Sequence, residues 1–126
     1  MSGYRILVTG SRSWTDCQTI RAAIADALKD VQTGETPALV HGGASGADFI
    51  AQDVFMDLAR PGACEVFKAD LSKHGRAAGP IRNAAMIAAG ADIVLAFPLG
   101  RSVGTRDCMR RAAAVGIPVI NHGDPS

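Results

Sequence analysis

The sequence predicts an α/β protein: one Rossmann-like, three-layer α/β/α domain over residues 1–126, on a parallel sheet of about five strands. Two observations predict it. Short apolar runs such as RILVT and DIVLAF read as buried strands, and they alternate with Ala-rich stretches whose apolar residues recur every three or four positions. Strict alternation of strand and helix implies right-handed crossovers, which make the strands parallel and put helices on both faces.

Arg5–Thr9 is the first strand, ended by Gly10. A helix follows Asp16, a plausible N-cap, with Ile20, Ala23, Ile24, Ala27, Leu28 and Val31 on one face, and Gly34 with Pro37 stops it. Ala38–His41 is the second strand, and the stretch GGASGAD leads from it into a helix from about Gly46 to Leu58. Glu65–Lys68 reads as the third strand and Ala69–Pro80 as a polar loop, long enough to suggest a functional role. Ile81–Ala89 is helical with Pro80 as its first residue, Asp92–Phe97 is the clearest central strand, and Pro98–Gly104 is a loop. Thr105–Val115 is the last helix and Pro118–Asn121 the last strand.

Composition bounds the function. Hydrophobic residues at 48% and charged residues at 20% are an ordinary globular balance. A net charge of +1 gives no whole-protein attraction to nucleic acid or an anionic membrane, so nucleic acid is not an expected partner and any anion site must be local. Cys17, Cys64 and Cys108 are scattered and form no metal-ligand spacing, so neither metal nor cofactor is expected; free thiols fit a reducing cytoplasm. The N-terminus reads directly as a strand rather than a signal peptide, and no apolar run is long enough to span a membrane, so a cytoplasmic location is expected.

Ligands of open parallel sheets sit beyond the carboxyl ends of the strands, where this chain places small and hydroxyl-bearing residues. After the first strand come Gly10, Ser11 and Arg12; after the second, Gly42, Gly43, Ser45, Gly46 and Asp48; after the fourth, Gly104 and Thr105. Glycine lets backbone amides approach a ligand, and a following helix adds unpaired N–H donors and a positive dipole end. Each turn has a bland alternative, a tight connection with Asp48 serving its own first-turn amides. Arg12 is either a phosphate contact or a solvated loop arginine. The segment Lys73–Asn83 adds His74, Arg82 and Asn83, the last two expected in the first helical turn, where a cation suggests an anionic partner. Trp14 either stacks on a base or covers the core edge.

The set VTGSR (8–12), HGGASGAD (41–48), KHGRAAGPIRN (73–83) with Met86, FP (97–98) and Gly104–Thr105 resembles the YspA-like branch of the SLOG superfamily. That superfamily includes the Lonely Guy phosphoribohydrolases and the DprA/Smf Rossmann domain. The resemblance implies a binding or sensor module for a nucleotide or nucleotide-derived ligand. Its alternative is hydrolysis of the N-glycosidic bond of a nucleoside monophosphate, with Arg82 and Asp107 as catalytic candidates and Asp48 as the other acid in reach of that role. The position of the Lonely Guy glutamate, however, falls on Cys108, and Asp107 lies about 100° around the helix from it. The Ala-rich helices also suggest a homo-oligomer.

Overall fold

A computed structural model describes residues 3–125. Its strands are β1 (Arg5–Gly10), β2 (Ala38–His41), β3 (Ala63–Val66), β4 (Ile93–Phe97) and β5 (Val119–Asn121). They form one all-parallel sheet in the order β3-β2-β1-β4-β5. The helices are α1 (Cys17–Leu28), α2 (Ala47–Leu58), α3 (Leu71–His74), α4 (Ala78–Ala89) and α5 (Val103–Ala114), with a single 3₁₀ turn over Gly75–Ala77.

The pleat of the sheet sorts the core into two layers. Ile6, Val8, Leu39, Ile93, Leu95 and Phe97 pack on one face against Ile20 and Ile24 of α1 and Ala51, Val54 and Phe55 of α2. Leu7, Val40 and Val94 pack on the other against Met86 and Ile87 of α4 and Cys108 and Ala112 of α5. Each aliphatic side chain so buried contributes about 1.5–3 kcal/mol before the entropy of ordering it. Trp14 is buried, edge-on to Phe97, and donates from Nε1 to the Asp16 carbonyl at 2.8 Å. It therefore covers the core edge rather than standing free to stack on a base. Asp16 caps α1 through the Thr19 amide.

Several boundaries differ from the sequence reading. β3 spans Ala63–Val66 instead of Glu65–Lys68, because pairing aligns Ala38 with Ala63 and His41 with Val66. Its exposed side chains carry no burial pattern, so local sequence held little register information. The segment Ala69–Pro80 is not a plain loop: Asp70 accepts from the Lys73 amide to start α3, and α4 already begins at Ala78. Pro80 is thus the third residue of α4, and Arg82 and Asn83 lie beyond its first turn. The helix-dipole argument for an anion at Arg82 consequently does not apply. α1 ends at Leu28 rather than continuing to Val31, and α5 begins at Val103 rather than Thr105.

After β1 the chain moves outward to β2 and β3, then returns to place β4 on the other side of β1. Loops leaving β1 and β4 therefore turn to opposite faces and open a crevice between them.

Candidate functional site

A cleft of about 410 Å³ lies at that crevice, between the loops that follow β1, β2 and β4 and the flank of α4. Its size suits a small organic ligand. Three groups of residues build it.

The first is the β2–α2 turn. The Asp48 side chain folds back under it, and its Oδ2 accepts from the amides of Gly42 (3.2 Å) and Ala44 (3.1 Å). The Gly43 amide donates to Nδ1 of His41 at 3.0 Å. That bond makes Nδ1 the acceptor, so His41 carries its proton on Nε2 and donates it to Oε1 of Gln52 at 2.7 Å. Gly46 has φ +76°, and a Cβ there would overlap the Ser11 and Arg12 carbonyls. The close approach is held by the Ala47 amide, which donates to the Ser11 carbonyl at 3.1 Å. Asp48 is only 5% exposed, and its Oδ1 has no hydrogen-bond partner among the described residues. Burial pushes its carboxyl above the ordinary range, against the opposing pull of the Ala44 amide, the Arg82 guanidinium and the Gly42 amide.

The second group is a hydrogen-bond chain along the floor. Arg82 donates from Nη1 to the Gly42 carbonyl (2.8 Å) and from Nε to Oδ1 of Asn83 (2.9 Å). Asn83, itself buried, donates from Nδ2 to the Gly104 carbonyl and to Oδ2 of Asp107, both at 3.0 Å. Asp107 also accepts from Nε of Arg111 at 2.8 Å. Burial raises the Asp107 carboxyl, but the Asn83 and Arg111 bonds outweigh it and hold the group below its usual value. The chain ties the β2–α2 turn to the start of α5, fixing the width of the cleft.

The third group is the N-terminus of α5. The cap residue Ser102 has left-handed backbone angles, φ 39° and ψ 55°, and its carbonyl accepts the Arg106 amide at 3.0 Å. The amides of Val103, Gly104 and Thr105 precede the first intrahelical donor, and no acceptor serves them among the described residues. All three residues line the cleft, as does Arg12, whose guanidinium has no hydrogen bond or ion pair among the described residues.

Of the residues expected at the site, the structure brings Gly10, Ser11, Arg12, Gly42, Asp48, Arg82, Asn83, Gly104 and Thr105 to the cleft wall. Gly43, Ser45 and Gly46 form the turn behind it. His74 does not line the cleft; it lines a hollow of about 150 Å³ between the segment after β3 and α4, to which Arg82 also contributes. Asp107 does not line the cleft, and Cys108 is fully buried, its thiol pushed up by burial to about 11. Sequence reasoning did not assign Val8, Thr9, Ser13, Ala44, Leu99, Ser102 or Val103 to the site, nor Gly79 and Met86, which it named only within the motifs of the resemblance. Ser102 had a readable signal, a hydroxyl residue just ahead of a helical pattern; Met86 reaches the cleft from the core side of α4, which no local pattern announces.

These features define an α/β domain with a polar, partly cationic cleft at the switch point of a parallel sheet. Residues 4–74 match the YAcAr family, described as the YspA, cpYpsA-related SLOG family, and the chain belongs to that family. The match runs from the residue before β1 to the end of α3 and so contains the Gly10–Arg12 and β2–α2 turns. The chain is also 51% identical over 123 residues to the Gene 61 protein of Mycobacterium phage D29, covering 95% of this chain and 97% of that one. No solved structure matches. Among the described residues no helix is long and apolar enough to cross a membrane, and no group of three or more His, Cys, Asp or Glu stands together as a metal would require.

Proposed function

We propose that the protein is a binding or sensor module for a nucleotide or nucleotide-derived ligand, whose phosphate docks on the N-terminus of α5. The observation that carries this reading is the set of three unpartnered amides at Val103, Gly104 and Thr105, facing a cleft that also holds the unpaired Arg12. Helix-end amides and a guanidinium together supply directed donors and positive charge, the requirements of a phosphate. Membership of the SLOG family supports a nucleotide-related ligand.

Hydrolysis of an N-glycosidic bond has less support. The acid it would draw on is Asp107 or Asp48. Asp107 is occupied by Asn83 and Arg111 and lies off the cleft. Asp48 lines the cleft with Oδ2 spent on the Gly42 and Ala44 amides, and Cys108 is a buried, protonated thiol. Arg82 is engaged in holding Gly42 and Asn83.

Gly104→Asp tests the reading. A Cβ at Gly104 meets nothing within 4 Å, so the variant should fold, and a carboxylate in the first turn should stabilise α5 by about 0.3–1 kcal/mol. The same carboxylate would repel a phosphate. Calorimetric titration with nucleoside mono-, di- and triphosphates should show binding to the wild type and at least a roughly tenfold loss in the variant. Absence of any nucleotide binding to the folded wild type would reject the proposal. Self-association of this 13.0 kDa chain remains part of the proposal, with light scattering at the monomer mass as the result against it.

A further inference from the structure

Among the described residues Asp48 is the one cleft-lining carboxylate, and its two oxygens are used unequally. Oδ2 accepts two backbone amides, whereas Oδ1 is buried and accepts nothing among the described residues. A buried polar atom without a partner is costly and rare in native proteins, and in a ligand cleft it marks a place for a donor. The donor cannot belong to an anionic group, because a carboxylate repels phosphate. Phosphate and Asp48 must therefore occupy opposite ends of any shared ligand. The open amides of α5 stand at one end of the floor chain, and the turn anchored by Asp48 stands at the other, with Arg82 and Asn83 between them.

The geometry also selects among donors. A guanine edge presents two N–H groups side by side and is read by both oxygens of a carboxylate; here only one oxygen is free. A single free oxygen, almost closed off from solvent, fits a compact hydroxyl.

We propose that Asp48 accepts a hydrogen bond from a ribose hydroxyl, so that the cleft selects ribonucleotides over their deoxy counterparts. This inference rests on the nucleotide reading above and deepens it by naming the sugar. Asp48 is accordingly a specificity residue, and the Gly42 and Ala44 amides hold its carboxylate at the angle that leaves Oδ1 available.

The test is a calorimetric comparison of the wild-type protein with AMP, GMP, CMP and UMP and with the 2′-deoxy and 3′-deoxy forms of whichever bind. Loss of a hydrogen bond to a charged group predicts that at least one deoxy form binds about tenfold or more weakly than its ribose parent. Asp48→Asn keeps the shape and an acceptor but removes the charge, and it should shrink that ratio while leaving the circular dichroism spectrum unchanged. Both deoxy forms binding within twofold of the ribonucleotide would overturn the inference and leave the nucleotide reading intact. Discrimination by base alone, with no dependence on the sugar, would overturn it in the same way. Failure of every nucleotide to bind would instead remove the underlying reading, and this inference with it. Because the decisive ratio is measured on the wild type, it stands even if the Asp48 variant folds poorly.

Discussion

The turns leaving β2 and β4 are both Gly-containing and both open a twelve-residue helix, yet they spend their backbone amides in opposite ways. In the β2–α2 turn the amides of Gly42, Gly43 and Ala44 are taken by Asp48 and His41, side chains of the same short stretch. At the start of α5 the amides of Val103, Gly104 and Thr105 have no acceptor among the described residues. The loop amides of the richer glycine motif are therefore used within the turn. The first-turn amides of Asp48 and Phe49 in α2 also lack an acceptor among the described residues, but only at α5 do all the residues with open first-turn amides line the cleft. Glycine in a strand-to-helix turn shows that the backbone comes close to something, and that something is as readily the protein's own chain as a phosphate.

The sharpest way to break this comparison is to fill both turns. At Gly46 a β-branched side chain would face a positive φ and the Ser11 and Arg12 carbonyls, neither of which can yield cheaply. Gly46→Val should cost about 3 kcal/mol or more in urea unfolding. Gly104→Ala meets open space on a helical backbone and should be neutral or stabilise by up to about 1 kcal/mol. Equal losses at the two sites would mean that the β4–α5 turn is as constrained as the other.

How far the sequence spoke follows from the same contrast. The strand–helix alternation and the strand-end positions of Gly10, Asp48 and Gly104 were legible, because apolar periodicity and crossover handedness are local or nearly so. The register of β3 was not, since its exposed residues carry no pattern and only pairing with β2 sets it. Nor could spacing reveal which amides were already used. Asp48 reaches back six and four residues to its partners, and Arg82 crosses forty positions to Gly42. His74 and Arg82 do line one hollow beside α4, but only Arg82 also reaches the main cleft, a division that spacing along the chain could not show.

A smaller effect distinguishes the free cation from the engaged one. Arg12→Ala removes a side chain with no partner among the described residues, so stability should change by less than about 0.5 kcal/mol. Nucleotide affinity should fall roughly five- to tenfold, and the salt dependence of binding should flatten. Arg82→Ala should instead lower the unfolding midpoint, because it unties Gly42 from Asn83. Arg12→Ala binding with unchanged affinity would leave the guanidinium a solvated loop residue.

The smallest expected effect concerns protons, and it tests whether Asp48 serves its own turn. Burial raises the Asp48 carboxyl in the folded chain, which therefore holds its proton more tightly than the unfolded chain does. Stability linked to Asp48 is complete below its unfolded value of about 3.9 and declines as pH rises through the raised folded value, then levels off. Asp107 runs the other way: its carboxyl is held low, so its contribution is present above the unfolded value and lost as pH falls through the folded one. Urea midpoints measured from acid to neutral pH should separate the two. The advantage of wild type over Asp48→Asn should shrink with rising pH, whereas its advantage over Asp107→Asn should grow. A gap to Asp48→Asn that stays constant across the range would mean that Asp48 titrates as in the unfolded chain. The carboxylate would then be hydrated rather than buried beneath the turn, and the contrast between a self-satisfied β2–α2 turn and an open α5 would fail at its best-defined residue.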